Sequence, residues 1–314
     1  MLIYLLCLVI TGGVSWVWVG IVYSRAAHTN TDASLIQFYS ALVSIGINLA
    51  VLPMWNHLHP PAPDLPVSIL ATVAATQLLF GAINFFMIRA MTLAMERGPN
   101  GVVWSITQSG MVLPFLMGIL VFGVELTPGM AAGILLIVTS IALFGLGKNA
   151  PKTAGGGGHR PWFHLALLSF LLCGANQCFG NLASYLPRGQ EVSSVFRSLW
   201  SALGAILPWC RLALVNWIRT RKGIPGSRDV PFGRIFGYAF SMQAIGIPCS
   251  YFLFYRGLDG MQRLGHGSAA YPILVCSCLA GFFLYSALFL RERTTRVQLV
   301  GAAAAFLGVL VICL

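Results

Sequence analysis

An all-α, polytopic membrane protein with ten transmembrane helices in two inverted five-helix repeats is the fold class the sequence predicts. Three observations predict it. The 314 residues are 57% apolar and only 9% charged, with a mean hydropathy of +0.81, whereas soluble domains carry about 25% charged residues. Ten apolar runs approach or exceed the ~20 residues needed to cross a hydrocarbon core. The chain also matches itself weakly at an offset of 167 residues.

The ten runs are 2–22, 34–56, 68–90, 101–123, 129–147, 162–185, 194–217, 233–256, 268–290 and 297–314. The first lacks a basic leading segment and is too long for an ordinary signal-peptide core, so it reads as a span. Short connections leave little folded mass outside the bilayer. The break at 148–161 holds four consecutive glycines and divides the chain into a first five-helix repeat, 1–147, and a second, 162–314. Its composition is that of a flexible linker.

Lysine and arginine set the orientation. Arg25, Arg89, Arg97, Lys148, Lys152, Arg160, Arg211, Arg219, Arg221, Lys222, Arg228, Arg234, Arg291, Arg293 and Arg296 fall on one side, and only Arg188, Arg197, Arg256 and Arg263 on the other. The rich side is normally cytoplasmic. Both termini are therefore expected on the non-cytoplasmic side of the cell (inner) membrane. The net charge of +11 is read as topology and not as a nucleic-acid surface. The eight cysteines lie singly in apolar runs, which suits small buried filler and neither a disulfide framework nor a zinc site.

At the 167-residue offset, 84–129 falls on 251–296 without a gap. Phe85 meets Phe252, Arg89 meets Arg256, Gly98 meets Gly265, Ile106 meets Ile273, Phe115 meets Phe282, Phe122 meets Phe289, Glu125 meets Glu292 and Thr127 meets Thr294. Five spans per half is an odd number, so the second copy would be inverted. Inverted repeats are the signature of alternating-access carriers whose ligand sits near the midplane.

The stretch Phe122-Gly123-Val124-Glu125-Leu126-Thr127-Pro128 before Gly133, with its echo Phe289-Leu290-Arg291-Glu292-Arg293-Thr294-Thr295 before Gly301, resembles the drug/metabolite transporter superfamily. In layout, and in Phe252-Leu253-Phe254-Tyr255 and Leu288-Phe289-Leu290-Arg291-Glu292, the chain is similar to the sugar-uptake branches that include the rhamnose–proton symporter. The resemblance implies ten spans, secondary transport and proton coupling. The charge bias departs from the commoner ten-span members, whose termini are cytoplasmic.

Polar side chains at membrane depth are costly and therefore informative. The candidates for substrate binding are Gln77 and Asn84 on span 3, Trp104 and Gln108 on span 4, Asn176, Gln177 and Asn181 on span 6, Gln243 on span 8 and Tyr271 on span 9. Spacings of four and seven stack Trp104 with Gln108, Gln177 with Asn181, and Gln77 with Asn84 on shared faces. The offset sets Trp104 opposite Tyr271. Amides donate and accept hydrogen bonds and aromatic faces pack on sugar rings, which suits a hydroxyl-rich solute. An amino acid or nucleoside-like metabolite is served equally well, and helix-to-helix glue is the ordinary alternative for each amide. Arg89 and Arg256 read as snorkelling side chains or as gates. Glu125 and Glu292, each two residues before a Thr, read as corners at the start of the last helix of each half. A proton-carrying role for these two acids is the sharper alternative.

Paired carboxylates, a metal cluster, a phosphate-binding loop and a Gly-x-Ser-x-Gly turn are absent from the sequence, so no enzyme and no cofactor is expected. The expected partners are a small-molecule substrate, protons and the bilayer. Facilitated diffusion, solute exchange, export of amino acids or drugs, and a receptor-like or enzymatic membrane protein without transport are the remaining readings.

Overall fold

The computed structural model describes residues 1–29, 31–58, 64–123, 125–146, 161–186, 188–221, 232–249, 253, 256–264, 267–291 and 295–311. Of these, 90% are helical, and no strand occurs among them. The helices are α1 (Leu2–His28), α2 (Ala33–Leu58), α3 (Val67–Met95), α4 (Asn100–Gln108), α5 (Val112–Phe122) and α6 (Pro128–Leu146), followed by α7 (Pro161–Tyr185), α8 (Ser194–Arg221), α9 (Phe232–Pro248), α10 (Arg256–Arg263), α11 (Gly267–Leu288) and α12 (Arg296–Val311). Helices of mixed polarity bury one face only, yet these expose large apolar side chains along their length, such as Leu120, Leu135 and Leu299. Such a surface requires an apolar solvent.

Among the described residues, five helices are long and apolar enough to cross a membrane: α1, α2, α3, the run Asn100–Phe122 and Trp162–Gly180 within α7. Shorter apolar stretches occupy Pro128–Phe144, Ile273–Leu288 and Arg296–Gly308. Two expected spans differ from unbroken helices. The run 101–123 is α4 and α5 joined by a 3₁₀ turn, Ser109–Met111. Pro114 has no N–H to offer the carbonyl of Gly110 four residues back, so the turn before it tightens. Over 233–256, α9 runs to Pro248, the described residues Cys249 and Leu253 are π-helical, and α10 begins at Arg256. The Gly-rich linker at 148–160 lies outside the described residues.

Helix ends follow local chemistry. Gly123 closes α5 in the left-handed conformation (φ 67°), which glycine adopts without a Cβ penalty. Thr127 precedes α6 and its Oγ1 accepts the Met130 N–H at 3.2 Å. Thr295 and Gln298 form a reciprocal capping box before and inside α12. The Gln298 N–H donates to Thr295 Oγ1 at 3.2 Å, and the Thr295 N–H donates to Gln298 Oε1 at 3.0 Å. The predicted corner residue Thr127 is thus a cap, while its predicted echo, Thr294, lies outside the described residues and Thr295 does the capping.

Helix α3 packs on α7 and α8, α2 on α8 and α9, α1 on α10 and α11, α4 on α7 and α11, and α6 on α12. Small residues set the closest crossings. A Cβ on Gly81 of α3 would fall on the Ser201 carbonyl oxygen and lie 2.7 Å from the Ala205 nitrogen of α8. Reciprocally, one on Gly204 would fall on the Leu78 carbonyl.

Candidate functional site

Buried polar side chains lie along the contacts of α3 and α4 with α7, and of α2 with α1, α8 and α9. Asn176 Nδ2 donates to the Phe80 carbonyl at 2.6 Å, tying α7 to α3. Gln77 Nε2 donates in the reverse direction to the Gly180 carbonyl at 3.4 Å. Gln177 Nε2 donates to Cys173 Sγ one turn back at 3.2 Å, while its Oε1 is buried with no partner among the described residues. Thr107 and Ser169 join α4 to α7 at 2.5 Å.

Trp104 is 3% exposed and packs on Phe282 of α11, ring centres 4.9 Å apart and tilted by 33°. Its buried Nε1–H meets no hydrogen-bond acceptor among the described residues; the thiol of Cys278 interacts with it at a geometry short of a regular hydrogen bond. Gln108, one turn further, is buried. Trp104 Nε1, beside the weakly accepting Cys278 thiol, and Gln177 Oε1 are thus an enclosed donor and acceptor on α4 and α7 that lack a regular hydrogen bond among the described residues.

Of the predicted binding residues, Gln77, Trp104, Gln108, Asn176 and Gln177 are buried and Asn84 and Gln243 half-buried. Gln77, Asn176 and Gln243 already commit their amide donors to neighbouring helices. Gln243 Nε2 donates to Ser40 Oγ of α2 at 2.5 Å. Helical backbone is described at Asn181 and Tyr271, but their side chains lie outside the described residues, so the Trp104–Tyr271 pair is left open. Arg89, Arg256 and Glu125 are exposed. Glu292 lies outside the described residues. Asp32, Asp64, Glu96, Glu125 and Glu191 are all exposed.

Sequence reading missed the polar face of α2. Ser34, Gln37, Ser40, Ser44 and Asn48 are all buried and recur at steps of three and four, one face of a helix. Tyr23 OH donates to Gln37 Oε1 at 2.6 Å, and Asn48 Nδ2 donates to Ser198 Oγ of α8 at 3.1 Å. On the other side of α9, Trp18 Nε1 donates to Ser241 Oγ at 3.2 Å. That three-and-four spacing was the signal available; serines, being small, drew less notice than amides.

Outside the bundle, Arg188 holds Glu191 through paired contacts, the shortest 2.8 Å, and donates to the Asp64 carbonyl at 2.9 Å. The hydrogen bond from the Arg188 guanidinium keeps the Glu191 carboxyl below its ordinary range. This clasp links the α2–α3 and α7–α8 connections.

Among known proteins, no family model and no curated protein matches the chain. A solved crystal structure of a protein matches it with a TM-score of 0.58 at 15% identity, covering 99% of this chain and 98% of the other. At that identity the likeness is one of fold alone, and it extends over the whole chain.

Proposed function

We propose that the chain is a secondary transporter that moves a small polar solute across a bilayer by alternating access, with a sugar or similar hydroxyl-rich solute as the leading cargo. The observation that carries this reading is the reciprocity of the helix neighbours. Exchange of α1–α6 with α7–α12 turns α3–α8 into α9–α2, α4–α7 into α11–α1, and α3–α7 into the contacts of α9 and α10 with α1. The pairs α2–α8, α4–α11 and α6–α12 map onto themselves. A bundle built this way is what ten spans in two inverted five-helix repeats would produce.

The same neighbours refine the expected motion. One set is α1, α2, α9, α10 and α11; the other is α3, α4, α7 and α8. Each draws helices from both halves of the chain, so rocking would run between these sets and not between residues 1–147 and 162–314. The donor of Trp104 and the acceptor of Gln177 suit a ligand with several hydroxyls, each able to accept or donate. Proton coupling rests on the resemblance, and the bias of lysine and arginine supports non-cytoplasmic termini.

Uptake of a labelled panel of sugars, amino acids and nucleosides into proteoliposomes tests the reading. Gln177→Leu and Trp104→Phe are each expected to raise KM for the transported solute by about tenfold, the equivalent of one lost hydrogen bond to a buried partner. A folded, oriented protein that moves none of the panel would overturn the proposal.

A further inference from the structure

Burial is uneven along the helices. The thirteen consecutive residues Asn100 to Val112 are all buried, on every side of the helix, whereas Leu120, Val121 and Phe122 at the other end of the same run are exposed. Helix α1 repeats the gradient: Leu2, Ile3 and Tyr4 are exposed, while Val22, Tyr23, Ala26 and Ala27 are buried. In α3 the last third is the densest, with Met87, Ile88, Met91, Ala94 and Met95 all buried. The tightly packed end is the one that carries Arg25, Arg89 and Arg97.

The contacts that α1 and α11 make with α4, across the two sets, lie at that end. His28 of α1 meets Asn100 of α4, Nε2 to Nδ2, at 2.9 Å. A Cβ on Gly101 of α4 would lie 2.8 Å from Ser286 Oγ of α11. Deeper in, Gly20 of α1 lies under both rings of the Trp104–Phe282 pair; a Cβ there would come within 2.6 Å of Phe282 and 3.2 Å of Trp104. From His28 to Gly20 this plug is about 12 Å thick at ~1.5 Å per residue.

At the opposite end α1 packs on α10 within its own set, and α3 on α7 within the other. Gly257 and Gly260 of α10 close onto Val9 and Leu5 of α1. Val73, Ala183 and Val192 form a small apolar cluster among α3, α7 and the start of α8. The sets remain joined there through α2, α8 and α9, at Asn48 and Ser198 and where Val195 of α8 packs with Ile247 of α9 and Trp55 of α2, while among the described residues none of α1, α4 or α11 enters either of these clusters.

We propose that the contact of α1, α4 and α11 from His28–Asn100 to Gly20–Trp104–Phe282 is a closed gate, and that this structure is the state in which solute enters from the opposite end. The proposal rests on the transport reading above and adds to it the gate and its sidedness. Gly20 is the fulcrum: only a residue without a side chain lets α1 approach the tilted ring pair that bridges the two sets. Trp104 is the bolt, since its ring spans from α4 to both α1 and α11.

Native thiols report on the gate. Cys278 lies one turn inside Phe282 and is fully buried, and Cys276 is buried on the same helix with its Sγ directed at the Phe306 carbonyl of α12 at 3.5 Å. Full-length protein is sealed into vesicles of each orientation, treated with a membrane-impermeant maleimide and analysed peptide by peptide. In the native sequence Cys278 is expected to stay unlabelled from both faces. Trp104→Ala, which removes the bolt, and Gly20→Val, which wedges the plug apart, are each expected to speed Cys278 labelling by roughly tenfold or more from the Arg25–Arg97 face alone. Reaction of Cys276 as well marks an unfolded variant, and Trp104→Phe is then read in its place. No acceleration, or an equal one from both faces, overturns the gate. The labelling needs no substrate: a protein that labels as expected yet moves no solute fails only the transport reading, and a transporter whose Cys278 ignores these substitutions fails only the gate.

Discussion

Substituting Gly81→Ala measures how much of the fold depends on the α3–α8 crossing. The added methyl would fall on the Ser201 carbonyl oxygen and lie 2.7 Å from the Ala205 nitrogen. Both are backbone atoms of α8, so no rotamer change relieves the clash and the helices must part. Gly46 on α2 is the control, because a Cβ there meets nothing within 4 Å. Each substitution gains helix propensity of about 1 kcal/mol, and this gain cancels when the two variants are compared. What remains is overpacking, typically ~1–3 kcal/mol. Gly81→Ala is therefore expected to be less stable than Gly46→Ala by that amount, with Gly46→Ala at or slightly above the native protein. Thermal unfolding in detergent, followed with a thiol-reactive dye that reads the exposure of Cys173, Cys276 and Cys278, gives the comparison. Equal midpoints for the two variants would refute the claim that backbone proximity sets this crossing.

Other outcomes follow from single contacts. Asn176→Leu removes the 2.6 Å bond to the Phe80 carbonyl and is expected to lower stability by about 0.6–2 kcal/mol in the same unfolding assay, where Thr72→Val, which removes only a bond to Ser68 within α3, changes little. Thr295→Ala removes the side-chain arm of the capping box at α12, the Gln298 N–H to Thr295 Oγ1 bond, and leaves the backbone N–H at 295 free to keep donating to Gln298 Oε1; it should cost about 1 kcal/mol, visible as faster amide exchange in the first turn of that helix. The Glu191 carboxyl titrates below its ordinary value of 4.5 because Arg188 hydrogen-bonds to it. The clasp it makes is present above that value and is lost as pH falls through the lowered one. Limited proteolysis at the α7–α8 connection should accelerate only at the acid end of the titration, and Glu191→Gln should accelerate it at neutral pH and abolish the pH step.

Much of the architecture was legible because the bilayer imposes one rule, an apolar run long enough to cross it. The runs at 2–22, 34–56, 68–90 and 162–185 each correspond to one helix, with α1 and α3 running several residues further. The departures have local causes. Pro114 predicts a disturbed turn only once Gly110 is known to sit four residues behind it in a helix. Of the candidate site, burial was legible: Gln77, Trp104, Gln108, Asn176 and Gln177 are buried. Their partners were not, because a hydrogen bond to the carbonyl of Phe80 or Gly180 depends on which helix lies alongside, and spacing within one helix carries no such information.

That difference separates two uses of a buried amide. Asn176 and Gln77 donate to backbone carbonyls of the facing helix, groups present at every residue whatever the side chain, so these amides fix α3 against α7 inside one set of helices. Gln177 donates within its own turn and leaves its oxygen inward, and Trp104 leaves its N–H buried. An enclosed donor or acceptor without a partner is worth about 1–3 kcal/mol to whatever satisfies it. Trp104 also bridges α1 and α11 at the plug. If a ligand hydroxyl draws on that N–H, the ring that closes one end of the bundle is the ring that reads the cargo. Occupancy would then bear directly on the contact between the sets, coupling binding to opening through one side chain, as alternating access requires.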